Sequence, residues 1–262
     1  MELTTLLFEI HDHVAHIILN RPEAGNSINE EMGRDLLHAV LHCDENPEVR
    51  AVLISGAGKI FCGGGDLKDF SAKGNQLPNY LKEVTPYFHT AISRLTRMDA
   101  PVIAAVHGAA AGAGMSMAIA CDIVIVAETT QFMVAYTRAG LTPDGSATYF
   151  LPRIIGLKRA LELTLTNRML SAQEALQWGL VTRVVPENEL FTQAKAIAVQ
   201  LASGPTRAYG VSKRLLHRGW TETLETQVEN ESQAIANSAR TEDAREGITA
   251  FLEKRPPRFK GQ

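Results

Sequence analysis

Three short, unbroken apolar runs, Val52-Leu53-Ile54, Val102-Ile103-Ala104-Ala105-Val106 and Ile123–Ala127, constrain this chain more than any other feature. A strand with one wet face alternates apolar and polar residues, whereas a continuous run belongs to a strand covered on both faces, as in parallel sheets flanked by helices. The first run closes at Gly56 and Gly58, and the second runs into Gly108, Gly112 and Gly114. Between them, Asn29 is placed to cap a helix over Glu30–Cys43, with Met32, Leu36, Leu37, Val40 and Leu41 at helical spacing. Strands alternating with helices predict an α/β class.

Further elements follow from the same signals. Leu6–Ile10 and Val14–Leu19 read as a hairpin around His11-Asp12-His13, stopped by Arg21-Pro22. The polar stretch Ser71–Pro78 reads as a mobile loop before a helix running to about Met98, and Met115–Ala120 reads as a short helix. After Pro143-Asp144-Gly145 the pattern becomes helix after helix, with a capping box at Ser171-x-x-Glu174 and a stop at Gly179. No strand is expected beyond about residue 195, so the chain divides into a core over 1–195 and a helical part over 196–262.

Composition removes several function classes. With 26 basic and 29 acidic residues the net charge is −3, which offers no general attraction to nucleic acid or to an anionic membrane. Three cysteines without C-x-x-C spacing write neither a disulfide framework nor a zinc site, and fit a reducing cytoplasm. The first basic residue is Arg21, so secretory and transit patterns are missing. Val102–Cys121 is long enough to raise the membrane question, but His107, Ser116 and three glycines favour a buried strand, turn and helix.

His11, His13 and His16 are close in sequence, yet hairpin geometry does not aim three rings at one point, and no metal site is expected. Neither Gly56-x-Gly58 nor Gly112-x-Gly114 has the third glycine of a dinucleotide loop. Gly114-Met115-Ser116-Met117-Ala118 nearly matches a nucleophile elbow, with Asp144 and His217 in hydrolase order, but Ser116 lies too far past its strand. The turns Gly63-Gly64-Gly65-Asp66 and Gly108–Gly114 allow two readings: tight packing, or exposed backbone N–H groups converging on one oxygen. Asp144 reads by composition as a cap or turn residue, with a catalytic role as the alternative.

Several motifs resemble the crotonase (enoyl-CoA hydratase/isomerase) superfamily nearly end to end. They are Asn20-Arg21-Pro22 with Asn26; Ser55-Gly56-Ala57-Gly58 with Phe61-Cys62-x-Gly64-Gly65-Asp66-Leu67; Pro101–Val106 with Gly108; and Ala120-Cys121-Asp122-Ile123. Leu151-Pro152-Arg153, Trp178-Gly179-Leu180-Val181 and Phe251–Arg255 continue the match. The resemblance implies a spiral of ββα turns followed by a helical trimerisation region, as a trimer alone or paired into a hexamer. It also implies an acyl-CoA thioester as substrate, with CoA entering as part of the substrate and no separate cofactor.

By the same resemblance, the N–H groups of Gly65 and Ala113 hold an enolate oxygen. The nucleotide end lies near Ala24, Asp66, Leu67 and Lys68, with Lys254 of a neighbouring chain near a phosphate. Hydratases of the family carry two glutamates, and the matching positions here are Ser116 and Tyr136. Phe132–Tyr136 with Gly140-Leu141-x-Pro143-Asp144 is instead similar to the isomerase branch, ring-epoxide isomerases included, in which Asp144 alone would move the proton. The implied activity is a double-bond shift or ring-epoxide isomerisation in a CoA thioester. The alternatives are a hydratase of atypical site, a hydrolase like the 4-chlorobenzoyl-CoA dehalogenases with Asp144 as nucleophile and His89 as base, and a non-catalytic acyl-CoA binder.

Overall fold

The computed structural model describes residues 3–262. Among the described residues nine strands form two sheets: β1 Leu6–His11, β2 Val14–Leu19, β3 Ala51–Gly56, β4 Val102–Val106, β5 Ala109–Ala111, β6 Ile123–Ala127, β7 Gln131–Met133, β8 Leu170–Ser171 and β9 Arg183–Val185. The larger sheet runs β1-β2-β3-β4-β6-β9, and the smaller β5-β7-β8. Only the β1–β2 hairpin is antiparallel in the larger sheet; β2 through β9 pair in parallel. Asp12 and His13 turn that hairpin in the left-handed region, at φ 53° and 62°.

The central turns of the chain place one strand in the large sheet, then a shorter one in the small sheet, then a helix. β4 leads to β5 and the helix Ala113–Ala120, and β6 leads to β7. β3 makes the same move in abbreviated form, because Cys62 pairs with Ala110 as a single bridge. This is the α/β spiral of ββα turns.

Both faces of the large sheet are covered, which is why its strands are continuously apolar. In β4, Val102, Ala104 and Val106 join the main core, while Ile103 and Ala105 face the other way. There the helix Leu190–Ala202 lies across Leu53, Ile103, Ala105 and Ile125, presenting Ala194, Ala198 and Ala202 at intervals of four. Small side chains let the helix approach the sheet closely. Position 195, the expected end of the core, falls inside this helix, and sheet-bound packing continues to residue 202. Helices Thr206–Arg218, Leu224–Ser238 and Glu242–Leu252 complete the C-terminal region.

Two local expectations change. The stretch expected as a mobile loop is mostly ordered: a helix Leu67–Ala72, a 3-10 turn Gly74–Gln76, then the helix Leu77–Leu95 with Pro78 in its first turn. The missed signal is the Asp66 cap, whose carboxylate accepts from the N–H groups of Lys68 and Asp69. A first-turn proline costs a helix nothing, since that N–H has no partner there. The helix expected over Met115–Ala120 begins two residues earlier, at Ala113.

The three hairpin histidines do not share one point: His11 and His16 flank the Glu9 carboxylate at 3.6 and 3.5 Å, His16 also bonds Ser55 Oγ at 2.8 Å, and His13 turns away to the Glu48 carbonyl. Cys43, Cys62 and Cys121 are buried free thiols, with burial pushing Cys43 and Cys62 up to about 12. Among the described residues no helix is long and apolar enough to cross a membrane.

Candidate active site

The two glycine turns meet. Cys62 N–H donates to the Ala109 carbonyl (3.2 Å) and Ala111 N–H to the Cys62 carbonyl (2.9 Å), so residues 61–65 run alongside 109–113. Gly64 (φ +101°) and Gly112 (φ +50°) stand where the segments touch, and a Cβ on Gly64 would lie 2.9 Å from the Ala111 carbonyl oxygen. Any larger residue would force the turns apart.

Several neighbouring N–H groups are spent, while those of Gly114 and Met115, in the first turn of the following helix, have no acceptor among the described residues. Gly63 donates to Gly25 O, Asp66 to Ile28 O and Gly112 to Met133 O. Among the described residues, the N–H groups of Gly65 and Ala113 have no acceptor. Ala113 also opens the wholly buried helix Ala113–Ala120, whose dipole adds partial positive charge at that point. Two free donors on adjacent turns suit an oxygen that gains negative charge.

Asp144 faces this region from the turn before the helix Ala147–Ile155. Its side chain does not cap that helix; the Ser146 N-cap position makes no side-chain cap bond, and the Asp144 backbone carbonyl accepts from Ala147 N–H. The carboxylate is gripped at both oxygens: Tyr136 donates its hydroxyl to Oδ1 at 2.7 Å, and His89 Nε2 lies 3.0 Å from Oδ2. Gly145 (φ +57°) and Ser146 (φ +77°) hold the turn in the left-handed region. Gly145 packs so tightly against the Phe88 ring and Ser116 that a Cβ would collide with Phe88. Strained backbone beside a gripped carboxylate is the pattern of a site held for chemistry.

Behind Asp144, Ser116 Oγ is fully buried. It lies within hydrogen-bond distance of the Gly112 and Asp144 carbonyls (3.2 and 3.1 Å) and of Tyr136 Oη (3.0 Å). Burial, and then the Asp144 charge, push the Tyr136 phenol well above its ordinary range, so it keeps its proton and serves as a donor. His217 takes no part in this network; its ring packs edge-on against Phe150 and Trp220. The Ser116–His217 hydrolase arrangement is therefore not assembled. A cavity of about 720 Å³ is lined by His89 and Gly145, the neighbours of Asp144, and by Tyr149, Phe150 and His217 among others.

The residues expected near the nucleotide divide. Segments 21–28 and 63–68 are laced together by Ile28 N–H to Gly64 O, by Gly63 N–H to Gly25 O and by the Arg21–Asp66 ion pair at 3.0 Å, so the segment that carries Ala24 lies alongside the one that leads into Leu67 and Lys68. Leu67 and Lys68 are exposed. Asp66 is buried and occupied as a helix cap. Burial alone would raise its carboxyl, but the Asp69 N–H and Arg21 outweigh that and hold it below the usual range. Lys254 stands exposed beyond the helix Glu242–Leu252, and no hydrogen bond or ion pair among the described residues joins it to the 63–68 segment. Sequence reasoning missed the two-sided grip on Asp144, because 55 residues separate His89 from it.

Spiral fold and paired glycine turns define the class, and comparison with known proteins agrees. The family model for enoyl-CoA hydratase/isomerase matches residues 9–262. Over the full length of both chains the protein is 39% identical to a Rhodobacter capsulatus protein named "Probable enoyl-CoA hydratase". It is 37% identical to the Escherichia coli 1,2-epoxyphenylacetyl-CoA isomerase, over 98% of each chain. It is also 33% identical to an Arthrobacter 4-chlorobenzoyl coenzyme A dehalogenase, over 93% of this chain and 88% of that one. The crystal structure of an enoyl-CoA hydratase from Polaromonas sp. JS666 superposes with a TM-score of 0.93 at 32% identity, covering 97% of this chain and 99% of that one. The chain belongs to the enoyl-CoA hydratase/isomerase (crotonase) family of enzymes.

Proposed function

We propose that this enzyme isomerises an acyl-CoA, shifting a double bond or isomerising a ring epoxide through an enolate, with Asp144 as the one acid/base. The observation that carries the reading is the site's single carboxylate: where the family's hydratases place glutamates, this chain has Ser116 and Tyr136, and both hydroxyls are tied into the network around Asp144. Adding water across a double bond needs one group to activate water and another to manage the proton. Moving a proton along one face needs only one.

In this reading the thioester oxygen sits between the N–H groups of Gly65 and Ala113. Asp144 removes a proton, and the dienolate charge rests on the two donors. The resulting carboxylic acid then returns the proton at the far end of the conjugated system. The CoA portion runs past Ala24, Leu67 and Lys68 with Asp66 fixing that edge. Lys254 from a neighbouring subunit meets a phosphate, and the exposed Leu224, Ile235 and Phe251 of the C-terminal helices support packing of three chains, with pairing of trimers left to measurement. No separate cofactor enters.

The His89–Asp144 contact favours a second reading, a dehalogenase-like hydrolysis with Asp144 as nucleophile and His89 as base. One panel separates them: β,γ-enoyl-, α,β-enoyl-, epoxyaryl- and chloroaryl-CoA, run with wild type and Asp144→Asn. The proposal expects isomerisation and proton exchange that vanish in Asp144→Asn while CoA affinity stays within a few fold. Halide release would favour the second reading, and crotonyl-CoA hydration undiminished in Asp144→Asn would overturn both.

A further inference from the structure

The helix Leu67–Ala72 presses one ring onto the Gly65 donor. A Cβ on Gly65 would lie 2.9 Å from both Cε2 and Cζ of Phe70, so the tip of the ring rests on the Gly65 backbone. The peptides flanking Gly65 are pinned on one side by Ile28, whose N–H donates to Gly64 O (2.7 Å) and whose carbonyl accepts from Asp66 N–H (3.0 Å), while on its Cα face Gly65 has no side chain of its own and packs against Phe70.

Phe70 is itself tied down. Its ring meets Tyr80 edge-on, with centroids 6.4 Å apart. The Tyr80 hydroxyl donates to Asp69 Oδ2, and Lys73 Nζ reaches Asp69 Oδ1 at 3.2 Å while lying 4.1 Å over the Tyr80 ring. Burial first, then the bond to Asp69, push the Tyr80 phenol well up, so the hydroxyl stays a donor. At its other end the same short helix is anchored by Asp66, capped and paired with Arg21. A six-residue helix is too short to hold its shape alone, yet here it is fixed at both ends.

We infer that Phe70 is a positioning residue for the oxyanion site, held by an Asp69–Lys73–Tyr80 knot, and that by closing the face of Gly65 opposite to chain pairing it completes what the Ile28 bonds begin, fixing the direction of the Gly65 N–H. This rests on the proposed role of Gly65. A backbone donor stabilises an oxyanion only when it is aimed before the charge develops, and displacements of about 1 Å at a reacting centre cost on the order of 10² in rate. The knot lies outside the Asp144 network, so it governs the oxygen and not the proton.

The test uses the full-length protein with Phe70→Leu, which keeps an apolar contact but withdraws the ring tip, and Tyr80→Phe, which leaves both rings and removes the Asp69 bond. Three readouts are taken: kcat on the best acyl-CoA of the panel, the Kd of free CoA by calorimetry, and amide hydrogen exchange of a peptide spanning Gly65. For Phe70→Leu we expect kcat to fall ten- to a hundredfold, the Kd of free CoA, which has no acyl oxygen, to stay within twofold, and exchange at Gly65 to quicken. Tyr80→Phe moves the same readouts in the same direction by about three- to tenfold, and the double variant is no worse than Phe70→Leu. Wild-type kcat and unchanged exchange in Phe70→Leu would overturn the inference, as would a loss of free-CoA affinity equal to the loss in kcat. Should Phe70→Leu fail to fold, Tyr80→Phe decides alone. Faster exchange with kcat unchanged would uphold Phe70 as the support of Gly65, refute its role in positioning the donor, and count against the oxyanion assignment itself.

Discussion

Lys213 is where the C-terminal helices are fastened to the spiral, and its removal has a calculable cost. Its Nζ is buried and bonds to the carbonyls of Leu95 (3.0 Å) and Ala100 (3.2 Å) and to Asp122 Oδ2 (2.9 Å), while Asp122 also accepts from Val102 N–H at 2.7 Å. One cation thus joins the helix Thr206–Arg218 to the end of the His89-bearing helix and to the start of β4. A hydrogen bond to a charged partner contributes about 1.5–3 kcal/mol, and each buried carbonyl left unpaired costs about 1–3 kcal/mol. Lys213→Met keeps most of the volume but strands all three acceptors. Simple addition overshoots, because Asp122 is partly exposed and water can reach it. The expected loss is about 3–5 kcal/mol, typical of breaking one side of a buried pair. Urea unfolding at one fixed protein concentration measures it, since assembly would make the midpoint concentration-dependent. A cycle with Asp122→Asn should return a coupling of at least about 1.5 kcal/mol. A loss below about 1 kcal/mol for Lys213→Met, with an unchanged m-value, would refute the reasoning.

Three further outcomes are expected. Gly145→Ala, with φ +57° and its Cβ driven into Phe88, should displace Asp144 and cut kcat at least about tenfold while free-CoA affinity stays within a few fold. His16 is held below its ordinary 6.5, chiefly by burial, so the unfolded chain takes up a proton that the folded chain resists. Stability should therefore fall as pH drops through 6.5, and His16→Gln should show a smaller decrease in urea midpoint between pH 7.5 and 5.5 than wild type. Lys254→Ala should weaken CoA binding severalfold by calorimetry and leave the chemical step, followed in a single turnover, nearly unchanged.

The parts legible in the sequence are those decided locally. Asn29 accepts from Met32 N–H as the cap reading requires, and Ser171 with Glu174 forms the full capping box. The apolar runs are strands because nothing polar in them needs water. Less legible was whatever depends on distant partners. Ser71–Pro78 read as a loop because the helix that leads into it is started by an Asp66 cap strengthened by Arg21, 45 positions away. Asp144 could be read as a cap because Pro143-Asp144-Gly145 is ordinary turn composition. Only the pairing with Tyr136 and His89 distinguishes it, and that pairing is made by the tertiary fold.

The same network is the physical ground on which isomerisation is proposed over hydration. Tyr136 has its phenol pushed up and spends its proton on Asp144 Oδ1, so at neutral pH it is a poor base for water. Ser116 has no exposed surface and is surrounded by carbonyl oxygens and the Tyr136 hydroxyl, so it reaches no solvent from which water could be taken. What these two residues can do is hold one carboxylate at a fixed angle. Tyr136 holds Oδ1 and His89 holds Oδ2, and of these two partners it is His89 that lines the open cavity. In the proposed reaction His89 yields its edge of the carboxylate to substrate, and the base, still anchored by Tyr136, can collect a proton from one carbon and release it at another without leaving its place. That is the requirement of a proton shift, and it asks nothing of a second carboxylate.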